Sequence, residues 1–251
     1  MKPVVVIPAR FASSRLPGKP LLRHTGKFLV QHVYERALQA TRVSGVVVAT
    51  DDDRIVRAVE SFGGKVMMSR ADHPSGTDRV AEVAIMLGAD AVINLQGDEP
   101  DFDPAGLDRL ADMLNGDASV DCATLATPIR EAAAYRNPNV VKVVSDDRGR
   151  ALYFSRAPIP FGRDGDPDFV KDTILQHLGV YAFRTPALLQ FTRTPPHPLE
   201  RIEKLEQLRL LGTGVPIAVG IIAHAAVGID TPDDYARFVR AWFAKSGAIA
   251  A

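Results

Sequence analysis

Apolar positions in this chain fall into two kinds of run that take turns along its first half. Short continuous runs such as "VVVIP" from Val4 and "GVVVAT" from Gly45 read as strands covered on both faces. Between them, "FLVQHVYERALQA" places Val30, Val33, Tyr34, Ala37 and Leu38 on one stripe, the spacing of an amphipathic helix. The alternation continues through "DRIVRAVESFGG", a helix stopped by its glycines, then "KVMMS" as a strand and "TDRVAEVAIMLG" as a helix. "DAVINLQGDEP" is a strand ending in acids, and "PAGLDRLADMLNG" a helix started by Asp103 and Pro104. Strict alternation of strand and helix predicts right-handed crossovers and an α/β fold with a mainly parallel sheet flanked by helices.

From about Cys122 the pattern changes. "DCATLATPI", "NVVKVVSDDRGRALYFSR" and "HLGVYAFR" predict longer, more antiparallel strands, with Asp146-Asp147-Arg148-Gly149 as a hairpin turn. "HPLERIEKLEQLRLLG" predicts one amphipathic helix with Leu199, Ile202, Leu205 and Leu208 inward, and a last strand and a helix starting near Thr231-Pro232 close the chain. Positions 210–229 carry no charge with His224 neutral, but Gly212, Gly214, Pro216, Gly220 and Gly228 divide them into strand-sized pieces, so buried strands are expected rather than a membrane span. No repeat period and no linker are visible. The expected organisation is a single domain over 1–251 with an inserted subregion at about 130–212.

The 251 residues are 46% hydrophobic and 24% charged, enough apolar material for a sizeable core. Thirty basic and thirty acidic residues cancel, which argues against a chain built to coat nucleic acid or an anionic membrane. Six lysines and arginines with no acid before Glu35 are therefore a local feature that needs a local cause. The single cysteine, Cys122, excludes an intramolecular disulfide and a Cys-based metal site, and fits a reducing cytoplasm. The run Val4–Ile7 is too short for a signal-peptide core, so the mature chain is expected to start at Met1. Phe191, Trp242 and Phe243 are expected to pack.

The cations gather in "PARFASSRLPGKP", Pro8 to Pro20, directly after the first strand. Arg10, Arg15 and Lys19 supply charge, Ser13 and Ser14 supply hydroxyls, and Gly18 lets backbone approach a ligand, a set suited to phosphate. The loop fits neither familiar glycine cradle: Pro20 follows Lys19 where a Walker loop has Ser or Thr, and "GTGVPI" lacks the last Rossmann glycine. "LQGDEP" offers Asp98 as a hard-oxygen ligand for Mg²⁺, at the strand edge where open α/β sheets bind ligands. Asp230 in "GIDTPDDY" is a second carboxylate, left over once Thr231, Pro232 and Asp234 are read as a helix start. "SRADHPSGTDR" brings Arg70, Ser75, Thr77 and Arg79 to a helix N-terminus that suits either a nucleotide or an ordinary cap. His177 reads as a substrate contact or as a satisfied buried histidine, and Arg156 stands at a strand end where an anionic substrate could meet it. Glu206 and Gln207 lie beside the apolar stripe of their helix, with Glu203 sharing a face with Gln207. Together these residues point to an α/β enzyme that binds a phosphorylated, nucleotide-like substrate with Mg²⁺ between Asp98 and Asp230, and to phosphoryl or nucleotidyl transfer.

The same segments, with "NLQGDEP", "NPNVVKVV", "ALYFSRAPIP", "HLGVYAF", "PLERIEKLEQLR" and "GIDTPDDY" in order along the chain, resemble the 3-deoxy-manno-octulosonate (Kdo) cytidylyltransferases, or CMP-Kdo synthetases. The resemblance implies a Rossmann-like nucleotidyltransferase sheet with a smaller sugar-binding and dimerisation subregion. It implies CMP transfer from CTP to Kdo with loss of pyrophosphate, Mg²⁺ as cofactor, a cytoplasmic homodimer and a place in lipopolysaccharide biosynthesis. Arg10, Arg15 and Lys19 would then hold the triphosphate with Ser13 or Ser14. Arg70, Ser75, Thr77 and Gln96 would surround the cytidine, with Arg79 near the nucleotide. Asp98 and Asp230 would be the metal ligands, and Arg156, His177, Tyr181, Glu206 and Gln207 the sugar pocket. Cytidylyltransferases for sialic acid or an amino-modified Kdo share a similar nucleotide half. The sugar-side residues favour Kdo.

Overall fold

The structure, a computed structural model, describes residues 1–12 and 16–246. Packing divides the chain into two compact units, one of Lys2–Asp108 with the segment from Ala226 onward, the other of Arg109–Ala225 with Met1.

The first unit follows the predicted alternation: β1 (Val4–Ala9), α1 (Leu29–Ala37), β2 (Gly45–Thr50), α2 (Asp53–Ser61), β3 (Val66–Met68), α3 (Gly76–Met86) and β4 (Ala91–Asn94). α4 (Pro104–Gly116) starts at Pro104 as expected, and the division between units falls within it. β1 pairs in parallel with β2 on one side and β4 on the other, and β3 extends the sheet beyond β2. Val5, Val6 and Ile7 are wholly buried, which is why the run is continuous rather than alternating. Val30, Val33, Tyr34 and Ala37 face inward from α1, but Leu38 is exposed, because α1 stops at Ala37 and Leu38 caps its end.

The second unit holds β5 (Cys122–Pro128), α5 (Ala132–Arg136), β6 (Lys142–Ser145), β7 (Ala151–Ser155), β8 (Leu175–Arg184), α6 (Thr185–Arg193), α7 (Pro198–Glu203), α8 (Leu208–Gly212) and β9 (Ala218–Ile221). β5 and β6 both pair antiparallel with β8, and β9 runs parallel to β5. β6 and β7 form the expected hairpin, its turn closed by Asp146 Oδ1, which accepts from the N–H of Arg148 and Arg150, and by Gly149 at φ +73°. Cys122 is fully buried in β5, and that burial pushes its thiol pKa up.

Two expectations fail here. The helix foreseen over 198–211 is two short helices, α7 and α8, broken at Lys204, whose φ of +55° leaves the helical region. Glu203 is drawn out of the helix pattern: its carboxylate accepts from Ser155 Oγ at 2.6 Å and from Arg156 N at 2.9 Å. Leu205 and Leu208 remain buried, while Ile202 turns out to solvent at 79% exposure, and the shared face of Glu203 and Gln207 is lost with the helix. The uncharged run 210–229 yields the single strand β9 rather than several, with Ile221 and Val227 exposed, because its glycines and proline end each piece early. Among the described residues no helix is long and apolar enough to cross a membrane.

The chain ends in α9 (Pro232–Ser246), capped as predicted: Asp234 N donates to Thr231 Oγ1, and Thr231 N donates to Asp234 Oδ2. Tyr235 and Phe238 join Leu29 and Ile229 in a buried cluster that seats this helix start in the first unit. Leu29→Ala is expected to cost about 2–5 kcal/mol in urea unfolding, the usual range for a leucine cavity. Unchanged stability would show that the cluster does not hold the segment.

Candidate active site

The loop after β1 is shaped by one glycine. Gly18 sits at φ +67° and donates its N–H to Phe11 O at 3.1 Å, and an added Cβ would stand 3.2 Å from the Phe11 ring. Gly18 therefore closes the loop against Phe11, where the sequence suggested ligand approach. The Arg54 guanidinium lies over that ring, 3.3 Å from its centroid. Ser13, Ser14 and Arg15 lie outside the described residues. Past Gly18 a single 3₁₀ turn, Lys19–Leu21, presents Lys19.

Lys19 Nζ donates to Asp98 Oδ2 at 2.6 Å and to Ile229 O at 2.8 Å, and lies 3.4 Å from Asp230 Oδ1. Three segments distant in sequence thus meet at one point: the loop after β1, the loop after β4, and the approach to α9. Ile229 N donates to Asp98 O at 2.9 Å, so the backbones on either side of the two carboxylates are joined as well.

Around this point is a cavity of about 410 Å³ lined by Arg10, Lys19, Gln96, Asp98 and Asp230, with Gly76 and Gly97 in its wall. It lies past the carboxyl ends of β1 and β4, the ligand edge of an open α/β sheet. Gly97 is needed for closure, since an added Cβ would meet Pro8 O at 3.0 Å. The N-terminus of α3 reaches the cavity through Gly76, adding the partial positive charge of free N–H groups. A larger cavity, about 470 Å³, includes Lys27, Lys245 and Trp242, but its lysines are paired with Glu35 and Asp101.

The other nucleotide-side candidates stand outside the cavity wall. Ser75 caps α3, accepting from Asp78 N and donating to Asp78 Oδ2 at 2.7 Å. Thr77 Oγ1 accepts from Asn94 Nδ2, and Arg70 is exposed and paired with Asp72 at 3.1 Å. Arg79 is wholly buried, ion-paired to Asp51 at 3.0 Å and bonded to Ser69 Oγ, so it clamps the ends of β2 and β3 where nucleotide proximity was implied. Two residues that sequence reasoning missed organise this segment. Glu82 accepts from Arg70 N at 3.0 Å and pairs with His73 Nε2, while His73 O accepts from Arg10 Nη2 at 2.8 Å. Burial alone would raise the Glu82 pKa, but the bonds from His73 and Arg70 N hold it below its usual value. A histidine and a glutamate nine apart across a loop carry no spacing signal. Glu99, beside Asp98, has its pKa pushed up to about 8 by burial and by its neighbour.

The sugar-side candidates belong to the second unit. His177 is buried edge-on to Phe154, its ring 5.3 Å from that of Tyr181. Thr124 Oγ1 donates to Val180 O at 2.7 Å and is left to accept from His177 Nε2 at 3.0 Å. His177 is thus a buried histidine with its Nε2 hydrogen-bonded, and burial drives its pKa down to about 3. Arg156 spends its guanidinium on backbone, Nε on Glu203 O at 2.7 Å and Nη1 on Pro138 O at 3.0 Å. Its own carbonyl accepts from the buried Lys142 Nζ at 2.6 Å, which also bonds the carbonyls of Asn137 and Val140. Glu206 is exposed. Gln207 is buried, and its Nε2 has no partner among the described residues, a donor suited to a polar ligand.

Comparison with known proteins extends these observations. A family model described as cytidylyltransferase matches residues 4–217. A 3-deoxy-manno-octulosonate cytidylyltransferase of Geobacter sulfurreducens is 50% identical over 241 residues, 93% of this chain and 96% of that protein. One of Escherichia coli with the same name is 48% identical over 231 residues, 92% of each chain. Among solved structures, CMP:2-keto-3-deoxy-manno-octonic acid synthetase complexed with CTP superposes with a TM-score of 0.91 at 47% identity, covering 98% of this chain and all of that one. A cytidylyltransferase of Leptospira borgpetersenii, 20% identical with a TM-score of 0.61 over 94% of this chain and 84% of its own, shares the fold.

The buried histidine sets a pH dependence. Its folded pKa of about 3 lies below the ordinary 6.5, so as pH falls below 6.5 the unfolded chain takes up a proton that the folded chain refuses. Stability from this group is complete above pH 6.5 and falls by about 1.4 kcal/mol per pH unit down to about pH 3. Urea unfolding at pH 7 and pH 5 should show a steeper acid loss for the native chain than for His177→Asn. Equal losses would mean that His177 titrates normally.

Proposed function

The chain belongs to the cytidylyltransferase family, and from that premise we propose that it transfers CMP from CTP to the anomeric hydroxyl of Kdo, releasing pyrophosphate, in lipopolysaccharide biosynthesis. The observation that carries this reading is the meeting of Lys19, Asp98 and Asp230 in a cation-lined cavity at the strand edge. Relatives named for this reaction, about half identical over nearly the whole chain, support the same assignment.

Two carboxylates converging on one cation form an all-oxygen donor pair, which fits Mg²⁺; this ion commonly takes one or two carboxylates and completes its shell with phosphate and water. Asp98 and Asp230 would hold it, and when bound it neutralises phosphate charge and lowers the pKa of the attacking hydroxyl. Among the described residues no group of three or more His, Cys, Asp or Glu gathers to hold a metal, at this cavity or elsewhere, so phosphate and water would complete the shell of an ion held by two carboxylates. Arg10, Lys19 and the N-terminus of α3 draw the triphosphate, stabilising charge on the transferring phosphorus and on departing pyrophosphate. Gln96 faces the same cavity and offers an amide to the cytosine. Attack in line by the sugar hydroxyl needs no side-chain nucleophile. Gln207 Nε2 is the donor available to the acidic sugar, beside Tyr181 and Glu206 in the sugar set.

A cytoplasmic homodimer completes the reading. What speaks for a covered face is that Phe161, Val170 and Ile202 in the second unit are each about four-fifths exposed.

Pyrophosphate release measured with CTP, other nucleotides, Kdo, 8-amino-Kdo and sialic acid should be fastest for CTP with Kdo and should require Mg²⁺. No turnover with that pair would sink the assignment. Asp98→Asn is expected to keep its fold and lose ~100-fold or more in kcat. Lys19→Ala should weaken CTP binding roughly tenfold or more through loss of a charge-assisted phosphate contact, with Kdo binding little changed. Equal effects on both substrates would remove Lys19 from the triphosphate site.

A further inference from the structure

The point between the two carboxylates is filled by the chain's own cation. Lys19 Nζ has three acceptors, Asp98 Oδ2 at 2.6 Å, Ile229 O at 2.8 Å and Asp230 Oδ1 at 3.4 Å, and none of them belongs to its own loop. A magnesium ion ~2.1 Å from the same carboxylate oxygens would overlap that ammonium, and two cations cannot share the position. The Lys19 side chain is 15% exposed where it is paired, and Arg10 lines the same cavity, so an ammonium expelled without a new anionic partner would lose its charge-assisted bonds to the carboxylates and gain a like charge as neighbour.

We propose that Lys19 is an internal competitor for the metal position, and that it makes divalent-ion binding depend on the nucleotide. The inference rests on the reading of this cavity as a metal and triphosphate site. With a triphosphate present the exchange is balanced: the carboxylates trade an ammonium for a divalent ion, and the ammonium trades carboxylates for phosphate oxygens. The four-carbon stem of lysine allows the swing within one cavity, which a rigid guanidinium fork would hinder. The coupling is reciprocal, so whatever the nucleotide adds to metal affinity the metal adds to nucleotide affinity. A metal ion alone meets an occupied site, and a nucleotide alone meets a lysine held by two acids.

The opposite view of the same contacts, that Lys19 merely preassembles the two carboxylates for the ion, predicts the opposite sign. Without Lys19 the acids would repel and spread, and metal affinity would fall.

The deciding measurement is Mn²⁺ binding to the nucleotide-free protein, followed by electron paramagnetic resonance of the free ion. Native chain, Lys19→Met and Lys19→Gln are compared, with circular dichroism to establish that each is folded. Competition predicts ~10-fold or more tighter Mn²⁺ binding in both variants than in the native chain, from release of a paired cation. Unchanged or weaker binding in the folded variants overturns the inference. Asp98→Asn in the Lys19→Met background should abolish the gain; a gain that survives this second change would place the ion elsewhere and also overturn it. Failure of the underlying metal reading has its own signature, turnover of the native chain that is indifferent to Mg²⁺.

Discussion

Two carboxylates on separate segments repel, and in this chain one ammonium lets them stand together. Lys19 joins the loop after β1 to the loop after β4 and to the approach to α9. The β1 and β4 ends are set side by side by the parallel sheet, but Asp230 comes from more than a hundred residues further on. Its delivery depends on Leu29, Ile229, Tyr235 and Phe238 packing the start of α9 into the first unit. A hydrophobic cluster therefore positions a charge, and the charge closes the polar side of the cavity.

Backbone supplies what the charged groups cannot. Gly18 turns the loop where a side chain would meet Phe11, and Gly97 lets the loop after β4 lie against Pro8 O. Arg10 is held through His73 O, and His73 is held through Glu82, so the cations that face the cavity are oriented by a second set of polar contacts. Preorganised donors of this kind stabilise developing charge without having to reorganise as it forms. Their cost is borne by α3, whose residues serve as cap, wall and anchor together.

In the second unit the polar residues chiefly build shape. Lys142 and Arg156 bond backbone carbonyls, Glu203 binds the end of β7, and His177 lies edge-on to Phe154 with its pKa lowered by burial. The break at Lys204 follows from this. A carboxylate that gains two bonds from β7 outweighs the modest preference of a short segment to continue as a helix. Beyond the break, Gln207 is buried with its Nε2 unpartnered among the described residues, a donor suited to a polar ligand.

Local pattern alone determined the first unit's strands and helices, the β6–β7 hairpin and the Thr231-Asp234 cap, because continuous apolar runs, helical stripes and capping residues act within a few positions of themselves. It also singled out Lys19 and Asp98, since acids and cations stranded after apolar strands have few local uses. Asp230 stood unassigned by spacing, the segment of Arg79 suited a nucleotide or an ordinary cap alike, His177 read as a buried structural histidine ahead of a contact, and Arg156 read as meeting an anionic substrate. Tertiary packing gave these residues their partners: Asp230 was brought to Lys19, Arg79 was buried against Asp51, His177 was given Thr124, and Arg156 was bonded to backbone carbonyls. It also recruited His73 and Glu82, and broke the helix at Lys204. The reason is range. Periodicity reports the environment a residue shares with its neighbours in sequence, whereas a charge or a hydrogen bond is committed by whichever partner the folded chain brings within about 3 Å.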